Sequence, residues 1–194
     1  GVWRYPMGGP EPEAPYVSHP TDAINGQEIH HYAFGQDFFA LATYSRLSVY
    51  EHSATANDPP VLLNEVDIIA DADGFVDWIG ISATGKNIVV AVRVFDNLAT
   101  EFRVYSLSNL QNPQTLDYIP PVDTGLIYTM QGDLLAFLSE IPDDENNSGE
   151  VAYQITLVDL AAAEVRWQLS STDIDDEAFT GFSPLAISPD AQTL

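Results

Sequence analysis

Three carboxylates along "DADGFVD", residues 71 to 77, are the strongest candidate ligands in this sequence. Asp71, Asp73 and Asp77 follow the D-x-D-G-x-x-D spacing of some calcium loops, in which alternate carboxylates converge on one ion and Gly74 permits the sharp turn. The stretch lacks the additional acidic residue and the distal glutamate of an EF-hand. A plain acidic turn between two strands uses the same residues equally well in a chain with 29 acids. Both readings stand at this point, a structural turn or Ca2+ held by Asp71, Asp73 and Asp77, and no other cofactor is indicated.

The remaining chemistry-bearing residues make no catalytic set. "VDTG", residues 122 to 125, imitates the triplet of aspartic proteases, but that chemistry needs two aspartates sharing a proton in facing lobes, and there is one copy. Asp123 and Gly125 then read as a turn. His30 and His31 are consecutive, so in a strand they point to opposite faces and cannot chelate one ion. His19 and His52 have no partner visible in the sequence. There is no cysteine, no G-x-S-x-G, no H-E-x-x-H, no P-loop and no dinucleotide fingerprint. No catalytic residue is assigned, and the chain reads as nonenzymatic. Asn146-Asn147-Ser148 matches a glycosylation acceptor, within a charged insertion "DDENNSGE" at 143 to 150 that reads as a solvated loop tip.

Charge removes whole classes of partner. With 29 acidic against 6 basic residues the formal charge is -23, so the surface repels phosphate backbones and offers no basic stripe to nucleic acid. Lys86 is the single lysine, an imbalance found in proteins adapted to high salt and in secreted acidic proteins. No apolar run reaches the roughly 20 residues that a membrane helix requires. The absence of cysteine leaves stability to the core alone.

The elements that must position these residues are strands. Residues 1 to 27 include "PMGGPEPEAPYVSHP", with five prolines and two adjacent glycines, and form a Pro-rich arm or linker rather than a helix or central strand. Exposed aromatics are unusual in such an arm, so Trp3 and Tyr5 are expected to pack on something. From residue 28 onward period-2 patterns dominate: "FFALATYS" (38 to 45), "RLSVYEH" (46 to 52), "PVLLNEVDII" (60 to 69), "FVDWIGIS" (75 to 82), "NIVVAVRVF" (87 to 95), "EFRVYSL" (101 to 107), "QTLDYI" (114 to 119), "LIYTM" (126 to 130), "DLLAFLSEI" (133 to 141), "VAYQITLVDL" (151 to 160), "EVRWQLS" (164 to 170) and "PLAIS" (184 to 188). Trp78 and Trp167 fall on these strands and read as core. The competing helix, "DLAAAEV" at 159 to 165, is too short to stand alone. The fold is all-β.

Repetition narrows it further. "YAFGQDFFALATY", "IGISATGKNIVVAV", "IYTMQGDLLAFL" and "LAISPDAQTL" each place a strand, a polar turn and a more apolar strand in one order. The turn positions Gly35, Gly85, Gly132 and Ala191 recur after about 50, 47 and 59 residues, room for four strands per repeat. The segment "DGFVDWIGISATGKNIVVAVRVFDNLATEFRVYSLSN" and the terminal "LAISPDAQTL" resemble WD40-type, YVTN and PD40-type β-propeller repeats, over residues 30 to 194. Ala191 stands where those repeats carry glycine, and neither a "GH" dipeptide nor a strand-ending Trp-Asp is present, so the resemblance is to the broad class.

The resemblance implies three four-stranded antiparallel blades plus the start of a fourth within residues 28 to 194. It also implies a scaffold that binds proteins on its faces, or the propeller of a larger hydrolase. A partial ring leaves blade faces and strand edges open. The expectation is therefore a noncatalytic module in an extracytoplasmic assembly, completed by its own continuation or by a protein partner, with a calcium-stabilised surface protein as a further alternative. No nucleic acid and no membrane span are expected.

Overall fold

Twelve strands account for the regular structure among the described residues, which are 28–52, 60–70, 73–96, 99–117, 119, 124–141, 152–170 and 187 of a computed structural model. In chain order they are β1 (His31–Phe34), β2 (Phe38–Ala42), β3 (Arg46–Glu51), β4 (Val61–Asp67), β5 (Gly74–Ile81), β6 (Asn87–Val94), β7 (Thr100–Ser106), β8 (Asn109–Thr115), β9 (Thr124–Gln131), β10 (Leu134–Ile141), β11 (Ala152–Asp159) and β12 (Glu164–Ser170). They form three antiparallel meanders, β1-β2-β3-β4, β5-β6-β7-β8 and β9-β10-β11-β12. The first strands of the sheets run beside one another, β1 along β5 and β5 along β9. This is the expected set of propeller blades, termed blades 1, 2 and 3. The Pro-rich arm of residues 1 to 27, including Trp3 and Tyr5, lies outside the described residues.

The second strand of each blade explains why the sheets stack. In β6, Ile88, Val90 and Val92 pack towards blade 1, against Phe38, Ala40, Ala42, Leu47 and Val49. The intervening Val89 and Ala91 pack towards blade 3, with Phe102, Leu135, Phe137 and Val158. A strand covered on both faces needs apolar residues at both parities, which is why "IVVAV" shows no alternation. Each such fully buried Val, Ile or Phe stabilises the fold by about 1.5–3 kcal/mol relative to exposure. β10 repeats the pattern: Leu135 and Phe137 meet blade 2, while Leu134 and Ala136 form a separate cluster with Leu157 and Ile187. Ile187 of "LAIS" thus lies against the far face of blade 3.

The turns between first and second strands share one rim. The Ala83 N–H donates to the Gly132 carbonyl at 3.0 Å, and Gly85 sits 3.6 Å from the Phe38 ring as a Cβ would see it. Gly85 and Gly132 adopt φ of 64° and 65°, left-handed values that favour glycine. Gly132 occupies the first central position of a two-residue loop, where such a φ is required. Gly35 recurs at the equivalent place without a positive φ, and Ala191 lies outside the described residues.

One sequence expectation shifts, and the rejection of a helix at "DLAAAEV" holds. The outermost strand of blade 2 is Asn109–Thr115, not residues 114 to 119, because "NLQNPQT" is polar and contains Pro113, tolerable only where a strand edge is unpaired. The "DLAAAEV" segment forms the β11–β12 hairpin. Its Asp159 carboxylate accepts the Ala161 and Ala162 N–H groups at 3.0 Å, and Arg166, the extra residue of a bulge, donates to the same side chain at 2.6 Å. Chiefly the Ala162 N–H, then Arg166, hold this carboxyl below the usual range against the opposing effect of burial.

Gly74 has a structural role independent of any ion. It does not adopt a positive φ, and a Cβ there would run into the Arg93 carbonyl oxygen and come within 2.8 Å of the Ile69 side chain. Since the backbone of β6 cannot yield without losing its pairing, Gly74→Ala is expected to destabilise the fold by about 1–3 kcal/mol. Chemical denaturation with and without calcium checks this, and an effect present only with calcium would contradict it.

Candidate functional site

The first strands bring three polar side chains from three blades to one place. β5 pairs Val76 with Val92 and Trp78 with Ala91, which leaves Asp77 as the extra residue of a bulge. The bulge aims Asp77 at blade 3, where the Tyr128 hydroxyl of β9 donates to its Oδ2 at 2.5 Å. From β1 on the other side, His31 Nε2–H donates to the Val76 carbonyl at 3.1 Å. Trp78 stacks on Tyr128 with centroids 5.7 Å apart. The residues after a strand turn, in three blades, thus become one connected group.

Electrostatics define what this group can do. Burial, then the charge of Asp77, pushes the Tyr128 hydroxyl well above its ordinary range, so it serves as a donor and not as a phenolate base. Burial lowers the His31 pKa from 6.5, an effect that the Asp77 charge and the Val76 carbonyl oppose and that His30 reinforces. His31 is therefore held neutral between blades. Tyr128 is paired with Asp77 and His31 with the Val76 backbone carbonyl, hydrogen bonds that tie blades together.

Of the three candidate calcium ligands, Asp71 lies outside the described residues. Asp73 is exposed at the turn entering β5, and Asp77 is half-buried and hydrogen-bonded by Tyr128. No group of three or more His, Asp or Glu side chains is placed to hold a metal ion among the described residues. Asp123 of "VDTG" and the insertion at 143 to 150 also lie outside the described residues, and Gly125 pairs with Ser139 in the blade 3 sheet.

The histidines carry contacts that their sequence positions conceal. His30 and His31 do diverge, with ring centroids 6.5 Å apart. His52 Nε2–H donates to the Gly35 carbonyl at 2.9 Å and its ring stacks on Phe39. Trp78 is packed as expected, whereas Trp167 is 39% exposed because β12 is the outermost strand of its blade.

A second feature, unread in the sequence, occupies the opposite rim from Gly85. The His30 and Tyr44 rings lie 3.8 Å apart, Tyr44 meets Phe75 edge-on at 6.2 Å, and Phe75 meets Phe95 at 5.7 Å. Backbone bonds fix this row: Val76 N–H to the Tyr44 carbonyl at 2.7 Å, and Phe95 N–H to the Asp73 carbonyl at 2.9 Å. Tyr44 and Phe95 are 54% and 46% exposed. "TYS" and "RVFDN" read as strand ends, and only the order of blades aligns their rings.

Two outcomes check the axial group. Tyr128→Phe leaves the Asp77 carboxylate without its donor and is expected to cost about 1–3 kcal/mol in denaturant unfolding. For His31 the folded pKa lies below 6.5, so between the two values the unfolded chain binds the extra proton. Stability contributed by neutral His31 is thus present at neutral pH and lost as pH falls through the unfolded pKa and on to the folded one. Relative to His31→Gln, the unmutated protein should lose stability as pH falls through 6.5, and parallel curves would remove His31 from this role.

No protein-family model matches the chain, and no curated protein matches it. Solved structures do. The β-propeller domain of the Trilobed protease from Pyrococcus furiosus, described as having an open velcro topology, superposes with a TM-score of 0.50 at 11% identity, covering 73% of this chain and 42% of that one. The acylaminoacyl peptidase of Pyrococcus horikoshii gives a TM-score of 0.50 at 11% identity, over 73% of this chain and 24% of that one. The chain thus spans less than half the length of these structures, and at this identity the likeness concerns the fold. The three meanders, the adjacent first strands and these superpositions agree: the described residues have the fold of β-propeller blades.

Proposed function

We propose that the chain is a noncatalytic interaction module contributing blades to a larger, extracytoplasmic assembly. The face of blade 1 turned away from blade 2 carries the proposal. Between blades 1, 2 and 3, apolar residues of both parities on the second strand are covered by a neighbouring blade. β2 has the same composition, with Phe38, Ala40 and Ala42 towards blade 2 and Phe39 and Leu41 on the far face. On that far face Phe39, Leu41 and Tyr50 are buried, while Tyr32 and Phe34 of the first strand remain 66% and 48% exposed. Two adjacent exposed rings of this kind suit docking, and a further blade, from the same polypeptide or a protein partner, would supply apolar cover for them. The axial polar groups, each engaged in a hydrogen bond across a blade seam, support a binding role over catalysis. The extracytoplasmic placement rests on the acidic balance and is tested by fractionating the source cells.

A second reading takes its lead from the protease and peptidase propellers among the structural neighbours: a propeller belonging to a longer hydrolase. The intact mass of the native polypeptide and an assay for peptide hydrolysis separate the two. Calcium on Asp71, Asp73 and Asp77 is compatible with either and would have to share or displace the Tyr128 bond to Asp77. If it binds, Asp73→Ala lowers the melting temperature only when calcium is present, through ligand linkage to the native state. Equal melting temperatures of the unmutated protein with calcium and with chelator discard the ion.

The assembly reading is checked by light scattering on the 194-residue chain. The expected result is concentration-dependent association that Tyr32→Ser with Phe34→Ser abolishes. A monodisperse monomer at all concentrations, unchanged by the double substitution, overturns it.

A further inference from the structure

We infer that the aromatic row His30, Tyr44, Phe75 and Phe95, with the carboxylates of Asp73 and Asp96 beside it, is a docking site for an extended arginine-bearing segment of a partner protein. The inference rests on the interaction-module reading and assigns that module a second surface, on the rim formed by the β2–β3 and β6–β7 turns and the start of β5.

Ring order is the first ground. Tyr44 of blade 1 and Phe95 of blade 2 both face solvent, while Phe75 between them is half-buried, so the row crosses the seam between two blades. Backbone hydrogen bonds hold both ends, so the rings are presented by rigid elements and ordering them on binding requires little. At the inner end, the Nε2 of His30 is buried without a hydrogen-bond partner. The row is thus an exposed apolar strip with one unsatisfied polar atom, unlike the far face of blade 1, whose rings lie over a sheet.

Charge selects the occupant. Asp73 and Asp96 are exposed, flank Phe75 and Phe95, and make no ion pair among the described residues. The cations near this rim are otherwise engaged: Arg46 bridges Glu65 and Asp67, and Arg103 bridges Glu101 and donates to the Ile68 carbonyl. Arg93, the register partner of Phe75, adds one positive charge to the neighbourhood. A molecule with net charge -23 attracts cationic segments and repels anionic ones. Guanidinium groups stack on aromatic faces and pair with carboxylates in one geometry, and this rim carries the rings with exposed aspartates within two residues of Phe75 and Phe95 in the chain. A neutral oligosaccharide could stack on the same rings but would make no use of the unpaired carboxylates.

The test is calorimetric titration of the full chain with a short peptide of alternating arginine and serine, and with the same peptide carrying neutral citrulline for arginine. The arginine peptide should bind and the citrulline peptide should not. Tyr44→Ala with Phe95→Ala should weaken binding roughly tenfold, each ring contributing a cation–π contact. Asp73→Asn with Asp96→Asn should weaken it and flatten its salt dependence. Asp37→Asn with Glu164→Gln removes the same charge from the opposite rim and should leave affinity unchanged; equal loss with this pair means diffuse polyelectrolyte attraction and overturns the proposal. So does binding of the citrulline peptide, or of a neutral oligosaccharide, as tight as the arginine peptide. Tyr44→Phe keeps the ring and should retain affinity, which guards against a folding defect. A chain that stays monomeric in light scattering yet binds the peptide at this rim defeats the assembly reading alone, and one that associates but binds it independently of Tyr44 and Phe95 defeats only the present inference.

Discussion

Burial of the second strand on both faces is the constraint on which the rest of this molecule depends. A single sheet with Ile88, Val90 and Val92 on one face and Val89 and Ala91 on the other has no solvent side, so it cannot exist without neighbours. Once blades 1 and 3 flank blade 2, the first strands are brought together at the axis and the outermost strands, such as β8 with its exposed polar residues, are left at the perimeter. In blade 2 the gradient from mixed, through apolar, to polar strands is the consequence of radial position and not of separate preferences in each strand.

The same stacking places polar groups where sequence distance would never suggest it. Asp77 and Tyr128 are 51 residues apart, and they meet because a bulge rotates one side chain of β5 out of the pleat towards the next blade. His31 reaches Val76 across 45 residues by the same adjacency. Burial between blades raises the proton affinity of Tyr128 and lowers that of His31, and so keeps both uncharged beside one carboxylate. One charge and two neutral donors can be accommodated at a seam where three charges could not.

Much of the fold was legible in the sequence because it depends on local signals. Period-2 runs mark strands, and Gly85 and Gly132 mark turns that need a positive φ. The displaced reading of β8 has a physical cause: an outermost strand needs neither apolar alternation nor a full set of donors, so Pro113 and polar side chains hid it. Trp167 misled for a related reason, since aromatic content suggests core, but its strand is at a perimeter. The site was far less legible. Gly74 looked like part of an ion-binding loop, whereas close approach of the Arg93 carbonyl requires the glycine by itself. Asp77 was visible as a carboxylate, but its donor lay one blade away.

The two uncovered aromatic regions differ in a way that bears on how they can act. Tyr32 and Phe34 stand on the first strand of a sheet, their rings 5.8 Å apart, beside the buried Phe39 and Tyr50. Tyr44 and Phe95 stand on turns, one ring wide, with free carboxylates at their side, and such a strip is too narrow to seat a blade. Apolar area without direction suits permanent packing, while rings combined with charge suit an exchangeable ligand whose arrival depends on salt. Because Val76 N–H is bonded to the Tyr44 carbonyl and Val76 itself accepts from His31, the exposed row and the axial group share one backbone segment.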